Sequence, residues 1–524
     1  MFLVYPPVAR SSEPPIGIAR LAGFLEANGH PSLCLDLNQE GQEFLLRLGL
    51  EGEDRWTRRA LKNRSRNREA LRSLSTYSSP DRYGRAVADL NRALQAAGRP
   101  HGAEISLADY AERDRSPLRM TDLLSAGRDF AASPFFPLFS ARLGECLRGE
   151  KSPVVGISVE FLSQALPAFA LAGFVRAGFP GARVVLGGGL ITSWVRLGAL
   201  GEKENLGGLV DRLFAGRGED ALGAWLDLPT PWNQASPLFR DFSGLDYFSP
   251  QVILPYNFSN GCPWKRCTFC PEKAENLPYQ GRQAAAALGE LRLLAQSNSP
   301  GLFHFSDSEI APLYLRALAD SPPGPPWYGF ARFGDILADP GFCARLAASG
   351  CKVLQLGLES GDQAVLDAIG KGTRMEVIER VLSCLADAGI ETYVYVLFGT
   401  PAENRDAALR TRDFVAANAS RIGFLNAAIF NMPVTSPEAG LHASRPFYEG
   451  DLSLYCDFEH PSGWSRGAVR RFLAEDFESE PAIRNIIRRN PPTFTSSHAP
   501  FFGGAACQGS TGAISSRKES GRIR

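Results

Sequence analysis

The chain has 524 residues, too many for one ordinary core at roughly 100–200 residues per domain. Lys and Arg together number 56, as do Asp and Glu, so no net field draws the protein towards nucleic acid or an anionic membrane surface. No window approaches the roughly 20 apolar residues of a bilayer span, and Met1-Phe2-Leu3-Val4-Tyr5-Pro6-Pro7 lacks the charged region and apolar core of a signal peptide, so a cytoplasmic protein is expected. Ten cysteines over this length are no disulfide framework, and Cys34, Cys146, Cys343, Cys351, Cys384, Cys456 and Cys507 read as small buried apolar residues.

Residues 2–5 form a short apolar strand, 16–25 carry helical periodicity that stops at Asn28-Gly29, and 32–36 read as a second strand, so the sheet is expected to be parallel. Residues 41–150 follow as a polar, largely helical insertion with a basic start: Arg55, Arg58, Arg59, Lys62, Arg64, Arg66, Arg68 and Arg72. Only Trp56 interleaves these cations and Glu51, Glu53, Asp54 and Glu69 flank them, which favours a solvated helix face over a nucleic-acid surface. A strand at 154–159, a helix at 166–177, a strand at 183–186 and a run at 210–214 complete a doubly wound α/β domain over residues 1–228. Its ligand crevice is expected at the carboxyl ends of the strands, at Ser158, Gly187, Gly188, Gly189, Gly216, Gly218 and Glu219. Residues 229–250, with Pro229, Pro231, Pro237 and Pro250, read as a linker.

The strand-like Val252-Ile253-Leu254 then leads into a loop that holds Cys262, Cys267 and Cys270 beside Gly261, Pro263 and Pro271. Closely spaced thiolates suit zinc, an iron–sulfur cluster, a disulfide pair or a redox dithiol. No second CxxC pair or nearby histidine supplies the fourth ligand of a structural zinc site, whereas three thiolates on a four-iron cluster leave one iron open to a small molecule. Strands at 252–258, 301–306, 327–332, 353–358, 392–398 and 422–430 alternate with helices at 283–296, 313–320, 340–349, 374–388 and 405–418. The pattern predicts a partial (β/α)6 barrel over 251–430 with its chemistry at the strands' carboxyl ends.

Polar residues sit at those ends. The cysteine loop follows the first strand, Asp307 ends the second, Arg332 the third, Glu359-Ser360-Gly361 the fourth and Gly399-Thr400-Pro401 the fifth, so they are expected on one rim. His304 lies inside a strand and reads as a core histidine. Residues 431–506 read as a small extension over the barrel mouth, with Phe447, Tyr455, Phe458, Trp464, Phe472, Phe477 and Phe494 filling a core rather than a substrate pocket. The Gly/Ser- and Arg-rich stretch 507–524 reads as disordered.

The cysteine loop, with Phe269 just before its last cysteine, resembles the cluster loop of the radical S-adenosylmethionine enzymes. It departs from the usual CxxxCxxC by carrying four residues between Cys262 and Cys267, a spacing similar to that in some radical S-adenosylmethionine proteins of peptide natural-product maturation. The resemblance implies a [4Fe-4S] cluster on Cys262, Cys267 and Cys270 with S-adenosylmethionine on the open iron. It further implies Phe269 at the cofactor, Glu359 and Ser360 beside its ribose and methionyl portion, and Arg332 on its carboxylate. Asp307 or Ser308 would hold its amino end, where Phe305-Ser306-Asp307-Ser308-Glu309 replaces the usual Gly-Gly-Glu-like motif, and Gly399 and Pro401 would lie near the adenine. Residues 1–40 and 152–228 resemble the cobalamin-binding domain of one large class of these enzymes, although the Asp-x-His-x-x-Gly signature for a lower axial histidine is absent.

The implied activity is reductive cleavage of S-adenosylmethionine to a 5′-deoxyadenosyl radical, used for cobalamin-dependent methylation of an unactivated carbon. A reducing donor such as flavodoxin or ferredoxin and a small-molecule or peptide substrate go with it. Two alternatives stand beside this reading: radical modification of a peptide or small molecule with a degenerate cobalamin domain, and a metal-stabilised ligand-binding protein without catalysis. The balanced charge and the lack of an RNA-binding module after the barrel disfavour nucleic acid as substrate.

Overall fold

A computed structural model of the chain describes residues 1–201 and 206–492. Phe494, Cys507 and the tail expected at 507–524 lie outside the described residues. The apolar run at the amino terminus becomes β1 (Phe2–Tyr5), followed by α1 (Ile16–Ala27) and β2 (Leu33–Asp36). After the insertion come β3 (Val154–Ser158), α2 (Leu162–Gly178), β4 (Arg183–Gly187), α3 (Gly189–Arg196), β5 (Arg212–Leu213) and α4 (Gly218–Leu226). All pairings are parallel, with Leu3 opposite both Cys34 and Gly156 and Ile157 opposite Leu186. The order β2-β1-β3-β4-β5 reverses direction between β1 and β3, which puts the ligand crevice of a doubly wound sheet outside the carboxyl ends of those two strands. Gln164 accepts the backbone N–H groups of Glu160 and Phe161, and this cap starts α2 ahead of the predicted residue 166.

The insertion is helical as expected, with one addition: a small antiparallel hairpin pairs Ala103–Ile105 with Tyr110–Glu112. Strands this short carry too few alternations to register as a period. Along the helix Arg55–Leu71, Arg68 and Arg72 turn inward to Glu43, while Arg55, Arg58, Arg59, Lys62 and Arg66 are exposed.

The second parallel sheet has six strands: β6 (Ile253–Tyr256), β7 (Leu302–Phe305), β8 (Trp327–Ala331), β9 (Cys351–Glu359), β10 (Glu391–Phe398) and β11 (Phe424–Ile429). They pair strictly in sequence, and α5 (Ala284–Asn298), α6 (Pro312–Asp320), α7 (Pro340–Ala348), α8 (Met375–Asp387) and α9 (Arg405–Ala417) connect them. Alternate side chains divide between two cores. Phe303, Phe305, Leu354 and Leu356 pack outward under the helices, while Leu302, Tyr328, Val353 and Tyr393 point into the barrel.

The amino-terminal domain reaches that interior. The segment after β1 brings Glu13 Oε1 to 2.7 Å from His304 Nδ1, and the His304 ring stacks on Tyr328 at 4.5 Å, so the strand histidine is a partnered interior residue. The stretch between the domains is pinned: Asp241 accepts from the Cys34 N–H at 2.8 Å, and the Tyr247 hydroxyl donates to Asp36 at 2.8 Å. Beyond β11 a three-stranded antiparallel sheet, Met432–Pro433 with Tyr455–Phe458 and Ser444–Pro446, stands at the barrel mouth. Trp464, Phe472 and Phe477 are buried core, as expected, whereas Tyr455 faces a cavity.

Candidate active site

The cysteine loop leaves β6 under tight control. The carboxylate of Asp307, directly after β7, accepts from Phe258 N at 2.9 Å, Ser259 N at 2.8 Å and Ser259 Oγ at 2.6 Å. Burial pushes its carboxyl up to about 6 against the pull of these three donors. Asp307 therefore fastens the start of the loop and does not line the cavity beyond it. Gly261 follows at φ +75°, where a Cβ would meet the Pro278 carbonyl at 2.7 Å. Cys270 then caps the short helix Pro271–Ala274.

All three thiols line one cavity of about 430 Å³ at the carboxyl ends of the barrel strands. Burial raises the Cys262 thiol and pushes Cys270 up to about 11, so metal binding here would release protons. Among the described residues no three His, Cys, Asp or Glu side chains converge on a single-ion position.

Charge alternates along the wall beside the thiols. Lys371 Nζ lies 2.8 Å from Glu359 Oε1, and Arg332 donates to the Lys371 carbonyl at 2.6 Å while its Nε stands 3.7 Å from Glu309 Oε2. Glu309 also sits 3.8 Å from Cys262 Sγ, and its carboxyl is raised by burial against the opposing pull of Arg332 and Lys371. Glu359 closes β9 at φ +64°, a left-handed conformation that a side chain adopts only when its surroundings hold it there. Two cations and two carboxylates in one largely buried wall fit a zwitterionic ligand that carries its own ammonium and carboxylate.

Of the residues expected at this cofactor, Cys262, Cys267, Phe269, Cys270, Ser308, Arg332 and Glu359 line the cavity. Ser360 does not: it is fully buried and its hydroxyl lies 3.2 Å from Thr411 Oγ1. Gly399, at φ +85°, borders a small neighbouring hollow and donates its N–H to Glu403, and Pro401 lines neither space. Sequence reasoning missed Lys371, Tyr395 and Asn431, read Tyr455 as core rather than pocket, and did not assign Glu309. Lys371 carried a signal, since it stands between Gly370 and Gly372, both at φ +67°.

In the amino-terminal crevice Ser158, Gly187, Gly188 and Gly218 line a groove of about 40 Å³, walled by Leu3, Ile18, Leu21 and Phe214. A Cβ on Gly188, which has φ +102°, would meet the Val159 carbonyl at 2.4 Å, so the turn after β4 demands glycine. The unforeseen residue here is Glu160. Its carboxylate accepts from Ser158 Oγ at 2.9 Å and from Gly189 N at 2.8 Å. Gly216 donates its N–H to Thr192, and Glu219 turns away to Arg20 at 3.3 Å, so neither lines the groove. A further cavity of about 210 Å³ lies between Glu160 and Gly189 on one side and Glu275 on the other, and shares Pro271 and Tyr455 with the thiol cavity.

Comparison with solved structures locates this architecture. The radical S-adenosylmethionine methyltransferase TsrM from Kitasatospora setae, with cobalamin and a [4Fe-4S] cluster bound, superposes over 90% of each chain with a TM-score of 0.53 at 17% identity. The same protein with tryptophan substrate and a SAM analogue gives a TM-score of 0.54 at 16% identity, over 95% of this chain and 91% of that one. The chain has the TsrM fold.

No family model matches the chain. In sequence it is 27% identical over 162 residues to anaerobic magnesium-protoporphyrin IX monomethyl ester cyclase of Rubrivivax gelatinosus, a match covering 30% of this chain and 29% of the relative. It is 25% identical over 181 residues to bacteriochlorophyllide d C-12(1)-methyltransferase of Chlorobaculum tepidum, covering 32% of this chain and 38% of the relative. The match thus spans well under half the length of either enzyme.

Proposed function

We propose that this TsrM-fold chain is a radical S-adenosylmethionine enzyme, and that it methylates an unactivated carbon with the help of cobalamin. The observation that carries the reading is that Cys262, Cys267 and Cys270 share one cavity with the Lys371–Glu359 and Arg332–Glu309 pairs at the barrel's carboxyl rim. Three thiols lining one cavity fit a [4Fe-4S] cluster, which takes one sulfur per iron at three of its corners. A reduced cluster, once bound, supplies the electron for reductive cleavage of S-adenosylmethionine.

The chain's own residues hold and orient. Arg332 and Lys371 present cations to a carboxylate, Glu309 and Glu359 present acceptors to an ammonium or to ribose hydroxyls, and Phe269 adds an aromatic wall. Phe330, Ile429 and Phe430 add an apolar face to the same cavity, against which a carbon substrate would be held away from water. Ser158, Gly187, Gly188 and Gly218 would receive cobalamin, whose contribution is the methyl group. Among the described residues no helix is long and apolar enough to cross a membrane. Thiolate ligands suit a reducing compartment, and a one-electron donor of the flavodoxin or ferredoxin type completes the system.

One observation favours a second reading. The crevice groove holds only about 40 Å³, which suits a degenerate cobalamin domain and radical modification of a peptide or small molecule without cobalt. Anaerobic reconstitution with and without hydroxocobalamin separates the two. Iron, sulfide and cobalt content are measured, followed by dithionite-dependent release of 5′-deoxyadenosine, with Cys267→Ala as control. Stoichiometric cobalt and cleavage that the control lacks support the methyltransferase. Cleavage without retained cobalt supports the second reading, and zinc with no cleavage sinks both.

A further inference from the structure

The four-residue spacer Pro263-Trp264-Lys265-Arg266 has a structural consequence that a three-residue spacer would not accommodate in the same way. Lys265 takes up the additional length in the left-handed region at φ +50°, and Trp264 leaves the loop sideways. Its Nε1 donates to the Gly370 carbonyl at 2.9 Å. Its six-membered ring packs against Gly372, where a Cβ would fall 2.0 Å from Cζ2. The Arg332 guanidinium carbon stands 4.1 Å from the centre of the same indole. The Thr268 N–H donates to Ile369 O at 2.9 Å, so the loop and the 369–372 turn meet at two points. That turn carries Lys371, which pairs with Glu359 and whose carbonyl receives Arg332.

We infer that Trp264 is a positioning residue through which the cysteine loop holds the cation pair Arg332 and Lys371, so that the groups facing the carboxylate of S-adenosylmethionine are set by one side chain while the thiols keep their places without it. The indole supplies a flat face on which the guanidinium rests, and its N–H locks the turn that aims the lysine. This rests on the radical S-adenosylmethionine reading and adds to it a reason for the longer spacer. It also accounts for Gly372, which only a missing side chain opens to the indole.

The test compares wild type, Trp264→Ala and Trp264→Phe in the full-length chain. Iron content, S-adenosylmethionine affinity by equilibrium dialysis and the change that S-adenosylmethionine makes in the electron paramagnetic resonance of the reduced cluster are read on reconstituted protein. Hydrogen exchange at Thr268 and 369–372 is read on the metal-free chain. Trp264→Ala is expected to keep wild-type iron, to bind S-adenosylmethionine about tenfold more weakly, with a diminished spectral change, and to exchange faster at those amides. Trp264→Phe, which keeps a ring under Arg332, is expected within about threefold of wild type. Unchanged affinity in Trp264→Ala, or loss of its iron, overturns the inference, as does equal damage from both variants. A wild-type chain that binds neither iron nor S-adenosylmethionine sinks the parent reading instead, and the exchange arm then decides the coupling alone: unchanged amides in Trp264→Ala overturn it.

Discussion

Lys371 and Glu359 form a nearly buried ion pair, Nζ to Oε1 at 2.8 Å, in the wall of the thiol cavity. They stand twelve positions apart in sequence, and the pair forms because Gly370 and Gly372 fold the chain back across the end of β9. Lys371→Met leaves Glu359 without its counter-charge, and removing one partner of a buried pair typically costs about 3–5 kcal/mol. The expected result is a thermal midpoint lowered by several degrees together with weakened S-adenosylmethionine binding. Combining Lys371→Met with Glu359→Gln is expected to restore most of the stability and none of the binding. Melting curves and equilibrium dialysis on the single and double variants check this.

Asp307 holds the cysteine loop from behind. Asp307→Ala strands two backbone N–H groups and a hydroxyl in a fully enclosed site, at about 1–3 kcal/mol for each unsatisfied group. The variant is expected to take up less iron on reconstitution than wild type while far-ultraviolet circular dichroism stays the same. A full complement of iron in a folded Asp307→Ala protein would show that the loop forms without its anchor.

Much of this was legible in the sequence, for a physical reason. Every barrel strand and connecting helix foreseen lies within two residues of its place at each end, because buried parallel strands are unbroken apolar runs and the helices between them are strongly periodic. The cysteine loop was equally plain. What stayed hidden were side-chain directions at strand ends: nothing in Ser306-Asp307-Ser308-Glu309 says that Asp307 turns in to the loop backbone while Ser308 and Glu309 face the cavity. Tyr395 is on the inward face by alternation, but the pocket it floors includes Asn431 and Tyr455 from a sheet no period announced.

Glu403 gives the fold a pH dependence. Its Oε2 accepts from Gly399 N at 2.5 Å and Trp464 Nε1 at 2.9 Å, and burial pushes its carboxyl up from 4.5 to about 7. A carboxyl raised on folding favours the native state when protonated, so its contribution is complete below the unfolded value and is lost as pH rises through about 7, by up to about 3 kcal/mol. Glu403→Gln keeps an acceptor for both donors without the charge. Urea titrations are expected to give similar stabilities for the two proteins at about pH 5 and a more stable variant at about pH 8. A gap that does not change with pH would place the titration elsewhere.

Glu160 ties the end of β3 to the turn after β4 in the amino-terminal sheet. One oxygen takes the Ser158 hydroxyl at the end of β3, and the other takes the first N–H of α3, where a negative charge also meets the positive end of the helix. The β3 side of the crevice is therefore held by the chain's own hydrogen bonds. Glu160→Ala is expected to lose about 1 kcal/mol of stability and to retain less hydroxocobalamin after desalting, measured as cobalt per chain and by visible absorption. Glu160→Gln, which still accepts at one oxygen, should fall between. If Glu160→Ala instead retains more cobalt than wild type, the carboxylate is a stopper in the groove, and the cobalt-free reading of the domain gains the ground that the methyltransferase loses.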